Sequence, residues 1–78
     1  MVERLIGNKV IGIKQAVKAI KNGEGKVLYV AKNADSKLID PIISLAYEKS
    51  IEVSYVETTK ELGRLCGIEV GSAAALLL

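Results

Sequence analysis

The residue types in this 78-residue chain restrict the chemistry it can perform. It contains no histidine and one cysteine, Cys66, so neither a Ser-His-Asp triad nor a Cys-His pair can form. A structural zinc site needs about four Cys or His ligands, and this chain offers one thiol and no imidazole. A lone cysteine also forms no intrachain disulfide. Cys66 follows Leu62 and Leu65 on the apolar side of a predicted short helix, which indicates a small buried hydrophobe. The sequence predicts no enzyme, no cofactor and no metal site.

Lysines recur at helical spacing near the start of the chain. Lys14, Lys18 and Lys21 stand at i, i+4 and i+7, with Gln15 beside the first. Like charges at this spacing repel, and Lys14 lies in a predicted first turn, where the helix dipole disfavours a cation. A bound phosphate would offset both costs, and Gly12 before the helix lets a ligand approach closely. An ordinary solvated basic face explains the same pattern equally well.

A second candidate site is the predicted loop at residues 68–71. In it, the β-branched residues Ile68 and Val70 flank Glu69. An apolar clamp of this kind suits an unstacked base, and proteins usually recognise irregular RNA through such bases. The alternative is that the apolar side chains of the loop tuck back onto the core.

The charge of the chain is unevenly distributed. Residues 1–26 contain six basic and two acidic residues, whereas residues 27–78 contain five basic and seven acidic residues. This division fits a protein that presents one basic face to a polyanion, although so small an excess also arises by chance. Large aromatic residues are limited to three tyrosines, which argues against a binding surface of stacked aromatic side chains.

The elements that must position these residues alternate between helix and strand. Residues 3–8 predict a short opening helix, and Val10 and Ile11 a short strand. The next helix has its apolar face at i, i+3, i+4 and i+7 from Ile13, and Gly23 is its predicted left-handed end. Residues 26–31 predict a strand covered on both faces, because a continuous apolar run follows Lys26.

The second half of the chain continues the alternation. Asp40 and Pro41 predict the start of a helix, because Asp caps helices and Pro suits the first helical position. Residues 53–56 predict a strand. Thr58, with Glu61 three residues later, predicts a capped short helix that ends at Gly67. Residues 73–78 predict a last strand, which belongs inside the sheet because its leucines would be poorly placed at a solvent edge.

This order of elements predicts an α/β fold, a three-layer α-β-α sandwich around a central mixed sheet of about four strands. We expect residues 1–78 to form a single domain. The longest apolar run, residues 73–78, is too short to span a bilayer, and charges at residues 3 and 4 interrupt the region where a signal peptide is apolar. A soluble cytoplasmic protein is expected.

Two segments together resemble a known family. Residues 12–20 (GIKQAVKAI) and 62–70 (LGRLCGIEV) are similar to the L7Ae-like, kink-turn-binding ribosomal proteins, and most of all to their short bacterial paralogues. The resemblance covers nearly the whole chain. It implies an α-β-α sandwich that binds the kink-turn, a sharply bent RNA helix with a bulge and tandem sheared G·A pairs.

The resemblance also implies roles for individual residues. Gly12 would approach the RNA through its backbone. Lys14 and Gln15 occupy positions where the archaeal members have Asn and Glu that contact the sheared guanines, and Lys18 matches a lysine on the same face. Residues 68–70 match the loop that contacts the bulged nucleotides. With Lys21 from the lysine pattern, the predicted RNA-binding residues are Gly12, Lys14, Gln15, Lys18, Lys21, Ile68, Glu69 and Val70.

The function predicted from the sequence is recognition and stabilisation of kink-turns in ribosomal or other structured RNA by a monomeric protein. Two alternatives stay open. The chain could be a protein-interaction subunit of a ribonucleoprotein particle that does not itself recognise kink-turns. It could also be a small regulatory domain that binds a nucleotide or metabolite, although no cluster of polar residues is present to line a pocket.

Overall fold

Strands and helices alternate along residues 7–78, the part of the chain that the structure, a computed structural model, describes. The elements are β1 (Lys9–Ile11), α1 (Ile13–Lys21), β2 (Val27–Ala31), α2 (Ser36–Glu48), β3 (Glu52–Val56), α3 (Thr59–Leu65) and β4 (Ala74–Leu77). The predicted opening helix at residues 3–8 lies almost wholly outside the described residues. Within residues 7–78, no helix combines the length and the hydropathy needed to cross a bilayer.

The four strands form one mixed sheet in the order β1-β4-β2-β3. Strands β2 and β3 are parallel, and β4 runs antiparallel to both of its neighbours. The prediction that the last strand lies inside the sheet is confirmed, and Leu76 at its centre is fully buried. Because β4 is covered by a strand on each side, its run of apolar residues leaves no exposed backbone edge.

Helices cover both faces of the sheet, which confirms the predicted three-layer sandwich. Helices α1 and α2 lie side by side on one face, and α3 lies on the other. The larger core cluster lies under α1 and α2 and consists of Ala16, Ala19, Ile20, Leu28, Val30, Ile42, Ala46, Ile51, Ala74 and Leu76. The smaller core cluster lies under α3 and consists of Ala31, Val56, Leu62, Cys66 and Ala75.

Cys66 is a buried member of the smaller core cluster, as its position in the sequence predicted. Burial raises the pKa of its thiol, and the charge of Lys9 opposes this shift. A thiol that is kept neutral packs as a small apolar group rather than acting as a nucleophile.

The predicted start of the second long helix was wrong. Helix α2 begins at Ser36, and Asp35 is its N-cap, with a carboxylate oxygen that accepts the Lys37 N–H at 2.9 Å. Pro41 therefore lies inside the helix rather than at its first position. A proline there lacks the N–H that would bond to the carbonyl four residues earlier. That carbonyl belongs to exposed Lys37, so water can satisfy it.

The end of α2 contains an uncommon backbone conformation. Ser50 has φ 60°, and the Ile51 N–H donates to the Ala46 carbonyl at 2.8 Å across it. This left-handed conformation closes the helix and is the one in which glycine is normally found, because a Cβ crowds the following carbonyl there.

Replacing Ser50 by glycine should therefore stabilise the protein. We expect Ser50→Gly to raise the free energy of unfolding by about 1 kcal/mol, since glycine adopts this conformation without steric cost. Chemical denaturation measures the change. Ser44→Gly, an exposed position within the same helix, is the matched control and should lower the free energy by about 0.5 kcal/mol. A loss at both positions would show that Ser50 is not strained.

Candidate nucleic-acid interface

Segments that are distant in the sequence come together at one edge of the sheet, namely the edge at which the strands begin or end. Strands β1, β2 and β3 end at this edge, and β4 begins there. The Gly12 N–H donates to the Ala74 carbonyl at 2.9 Å, and the Ala31 N–H donates to the Ala73 carbonyl at 3.0 Å. The loop at residues 67–73 therefore enters the sheet between the start of α1 and the turn after β2. We call this side of the molecule the binding edge.

Gly12 links β1 to α1 in a conformation that favours glycine. Its φ is 101°. Among residues 7–78, no side chain caps the helix and no atom lies within 4 Å of a Cβ built at this position. As far as these residues go, the backbone at the start of α1 is uncovered, and the N–H groups of its first turn lack a side-chain acceptor. This fits the predicted close approach of a ligand.

Helix α1 presents its polar side to solvent. Its buried side consists of Ala16, Ala19 and Ile20, and its first turn contains no acidic residue. Lys14 and Gln15 are exposed near the binding edge, and Lys18 is exposed one turn further along. Gln15 and Lys18 also line a shallow pocket of ≈ 220 Å³ beside β1. The first turn of α1 thus contains an uncompensated cation.

Lys21 is less closely connected to the binding edge. It lies in the last turn of α1, about 10 Å beyond Lys14 along the helix axis. The helix dipole favours a cation at this end, so Lys21 has a local structural role. The structure does not bring Lys21 near residues 68–70.

The loop at residues 68–71 agrees in part with each of the two interpretations of its sequence, an exposed apolar clamp and side chains packed on the core. Ile68 is half-buried and packs against the smaller core cluster. Glu69 is exposed, and Val70 is 70% exposed at the binding edge. Ile68 thus packs onto the core, while Val70 leaves an apolar surface exposed.

Contacts with α3 fix the position of this loop, and the sequence did not indicate them. The Ile68 N–H donates to the Gly63 carbonyl at 3.0 Å, and the Ser72 N–H donates to the Thr59 carbonyl at 3.0 Å. The Thr59 N–H in turn donates to the Asn33 side-chain oxygen at 2.8 Å. The turn after β2, the start of α3 and the loop are therefore joined by hydrogen bonds. One signal in the sequence could have indicated these contacts: Gly63 is a glycine inside a predicted helix, which suggests that another segment approaches closely there.

Charge differs between the two sides of the binding edge. On the α3 side, exposed Glu61 and Glu69 are balanced by exposed Lys60 and Arg64, and Glu57 pairs with Lys32 at 3.0 Å. That ion pair is exposed and contributes little to stability. The α1 side has lysines and no acid in its first turn. A polyanion is therefore favoured on the α1 side, whereas the loop suits an uncharged group such as a base.

The sequence profile of the ribosomal protein L7Ae/L30e/S12e/Gadd45 family matches residues 6–78. The chain belongs to this family. An RNA-binding protein of Caldanaerobacter subterraneus subsp. tengcongensis is a family relative at 41% identity over 75 residues, which cover 96% of this chain and 92% of that protein. This confirms the resemblance to short bacterial proteins that the sequence indicated.

Two further comparisons extend the family assignment. The large ribosomal subunit protein eL8 of Halobacterium salinarum is 40% identical over 78 residues, which cover 99% of this chain and 65% of that protein. The solved structure of a 15.5kD RNA binding protein from Giardia lamblia superposes with a TM-score of 0.82 at 20% identity, over 88% of this chain and 58% of that one. At that identity the structural likeness supports the fold alone.

The uncompensated Lys14 predicts a cost to stability in the free protein. Lys14→Glu should raise the free energy of unfolding by about 0.5 kcal/mol at low salt, because an acid in the first turn suits the dipole and pairs with Lys18. Thermal and chemical denaturation measure this change.

The same charge change at the other end of the helix is the control. Lys21→Glu should lower the free energy of unfolding, because the dipole disfavours an acid in the last turn. At about 1 M salt both changes should shrink. Equal effects of the two substitutions would show that Lys14 carries no electrostatic cost.

Proposed function

We propose that this protein binds RNA and stabilises kink-turns in ribosomal or other structured RNA. The observation that carries the proposal is the meeting of two predicted sites at the binding edge. The start of α1 and the loop at residues 68–71 lie at the same edge of the sheet, because the Gly12 N–H donates to the Ala74 carbonyl at the start of β4. A kink-turn likewise places its G·A pairs next to its bulge.

The start of α1 would recognise the G·A pairs. Ordinary A-form RNA has a deep, narrow major groove that side chains cannot enter, and the kink widens it. Gly12 leaves the helix start uncovered, so α1 can approach base edges end-on. Lys14 and Gln15 can each donate hydrogen bonds to guanine O6 and N7.

The loop would cover the bulged nucleotides. Val70 is the most exposed large apolar side chain among residues 7–78, and an unstacked base gains by covering such a surface. The loop is fixed to α3 before any ligand binds, so little conformational entropy is lost on binding.

The lysines of α1 would contact phosphates where the two backbones of the bent RNA approach each other. Each phosphate contact releases counterions and makes the affinity depend on salt. The protein would favour the bent RNA because only that state offers the groove, the bulge and the phosphates together.

The family and the names of two of its members support RNA as the ligand class. The Caldanaerobacter relative is named an RNA-binding protein, and the Halobacterium relative is named a ribosomal subunit protein. By analogy, a ribosomal or other structured RNA is the proposed partner. A monomeric state, a cytoplasmic location and the absence of catalysis stay predictions.

A second candidate function is a protein-interaction subunit of a ribonucleoprotein particle. The observation that favours it is an exposed pair of tyrosines, Tyr47 on α2 and Tyr55 on edge strand β3, which are 62% and 49% exposed. Hydrogen bonding with Tyr47 raises the pKa of Tyr55, so the two side chains are neighbours. Tyrosine is enriched at protein interfaces.

A paired titration tests the main proposal. The protein is added to a standard kink-turn duplex and to the same duplex with Watson–Crick pairs in place of its G·A pairs, at about 0.15 M salt. Energy transfer between the RNA ends reports bending. We expect tight binding and bending of the first duplex only. Equal, weak, salt-sensitive binding to both would contradict kink-turn recognition and favour the protein-interaction role.

Two substitutions separate the contributions to binding. Lys18→Ala should weaken binding to both duplexes and reduce the salt slope by roughly one unit, as expected for the loss of one phosphate contact. Val70→Ala should weaken binding only to RNA with a bulge and leave the salt slope unchanged. Val70 is the better probe than Ile68, because Ile68 also packs against the core. An unchanged slope with Lys18→Ala would exclude that phosphate contact.

A further inference from the structure

We propose that Gly63 is a positioning residue that sets where the loop at residues 68–71 lies and thereby determines preference for a bulge. The inference rests on the proposed kink-turn function. Gly63 lies within α3 and does not reach the surface, since the residue is buried. Its effect on a ligand must therefore pass through the loop that covers it.

The space at Gly63 is occupied by the loop backbone. A Cβ at this position would overlap the Val70 carbonyl oxygen and lie 3.0 Å from the Val70 carbonyl carbon and 3.1 Å from the Gly71 Cα. These are backbone atoms, so they cannot rotate away as a flexible side chain could. Any side chain at residue 63 must displace the loop, the helix or both.

Further contacts, made by Gly71 and Ser72, keep the loop in this position. A Cβ at Gly71 would lie 3.2 Å from the Thr59 Oγ1, one turn before Gly63 in α3. The Ser72 N–H donates to the Thr59 carbonyl, and the Ser72 hydroxyl donates to the Ala74 carbonyl at 2.8 Å. The loop is thus attached to α3 on one side and to β4 on the other, and Gly63 lies beneath its exposed tip.

A glycine in this place is unfavourable for the helix itself. Glycine costs about 1 kcal/mol relative to alanine inside a helix, and Gly63 lies inside the seven-residue helix α3 with no positive φ to explain it. The close approach of Val70 and Gly71 is the feature that requires a residue without a side chain. The backbone approach therefore accounts for this glycine.

The effect of a side chain at residue 63 should be confined to the loop. Gly63 meets residues 70 and 71, whereas Lys14 and Lys18 lie on α1 across the sheet. Displacing the loop moves Val70 from the place where it would cover a base, and leaves the lysines in place. A side chain at residue 63 should therefore reduce the preference for a bulge and leave the salt dependence of binding unchanged.

The test compares Gly63→Ala with wild type on a kink-turn duplex and on a bulge-free duplex of the same length. We expect Gly63→Ala to lose about tenfold or more in affinity for the kink-turn, in line with the loss of one base contact. Its salt slope and its affinity for the bulge-free duplex should match those of wild type. A simple loss of folding would lower both affinities together.

Two further variants make the test independent of how well Gly63→Ala folds. Gly23→Ala is the matched control, because its φ of 81° strains alanine while nothing lies within 4 Å of the new Cβ; it should keep wild-type preference for the kink-turn. Gly71→Ala pushes the loop more gently away from Thr59 and should lose a smaller part of that preference. Unchanged preference in both Gly63→Ala and Gly71→Ala would overturn the proposal.

A measurement without RNA distinguishes this inference from the proposed function. In the free protein, Gly63→Ala should shift the amide NMR signals of residues 68–72 and leave those of α1 unchanged. Unshifted loop signals would refute the role of Gly63 whatever the RNA does. Shifted loop signals, with a wild-type protein that does not prefer the kink-turn, would uphold the positioning role and reject the kink-turn function.

Discussion

The insertion of the last strand between β1 and β2 is the constraint on which the rest of the structure depends. It requires the Gly12 N–H to meet the Ala74 carbonyl and the Ala31 N–H to meet the Ala73 carbonyl. The loop before β4 must then lie between the start of α1 and the turn after β2. Burying Leu76 at the centre of the sheet therefore also assembles the binding edge, because one set of backbone pairings serves the core and the site.

Much of the fold follows from local patterns in the sequence. The period of the apolar residues in α1, the apolar runs of β2 and β4, and the cap at Thr58 specify the type and order of the elements, because each depends on near neighbours. The start of α2 was predicted wrongly because local patterns did not decide between two capping residues, Asp35 and Asp40. The helix can begin at the earlier one only if it tolerates Pro41 in its interior. It does so because Pro41 is exposed.

The site was predictable only in part. Lys14, Lys18 and the loop at residues 68–70 could be selected from residue types and a family resemblance. The start of α1 and that loop lie at the same edge of the sheet, where Gly12 bonds to Ala74. The supporting contacts were not predictable. Thr59 donates its N–H to the Asn33 side-chain oxygen and accepts from the Ser72 N–H. These bonds, like the approach of Val70 to Gly63, join residues whose proximity depends on packing across the sheet. Single-sequence periodicity contains no information on such distant pairs.

The central claim is that a single edge of the sheet contacts both the G·A pairs and the bulge. The most direct test is a map of backbone amide NMR shifts in wild-type protein as a kink-turn RNA is added. The account predicts that the largest changes fall together on the start of α1, from Gly12 to Gln15, and on residues 68–71, at the same RNA concentration. Changes centred on Tyr47 and Tyr55 at the β3 edge, with the binding edge unaffected, would contradict it.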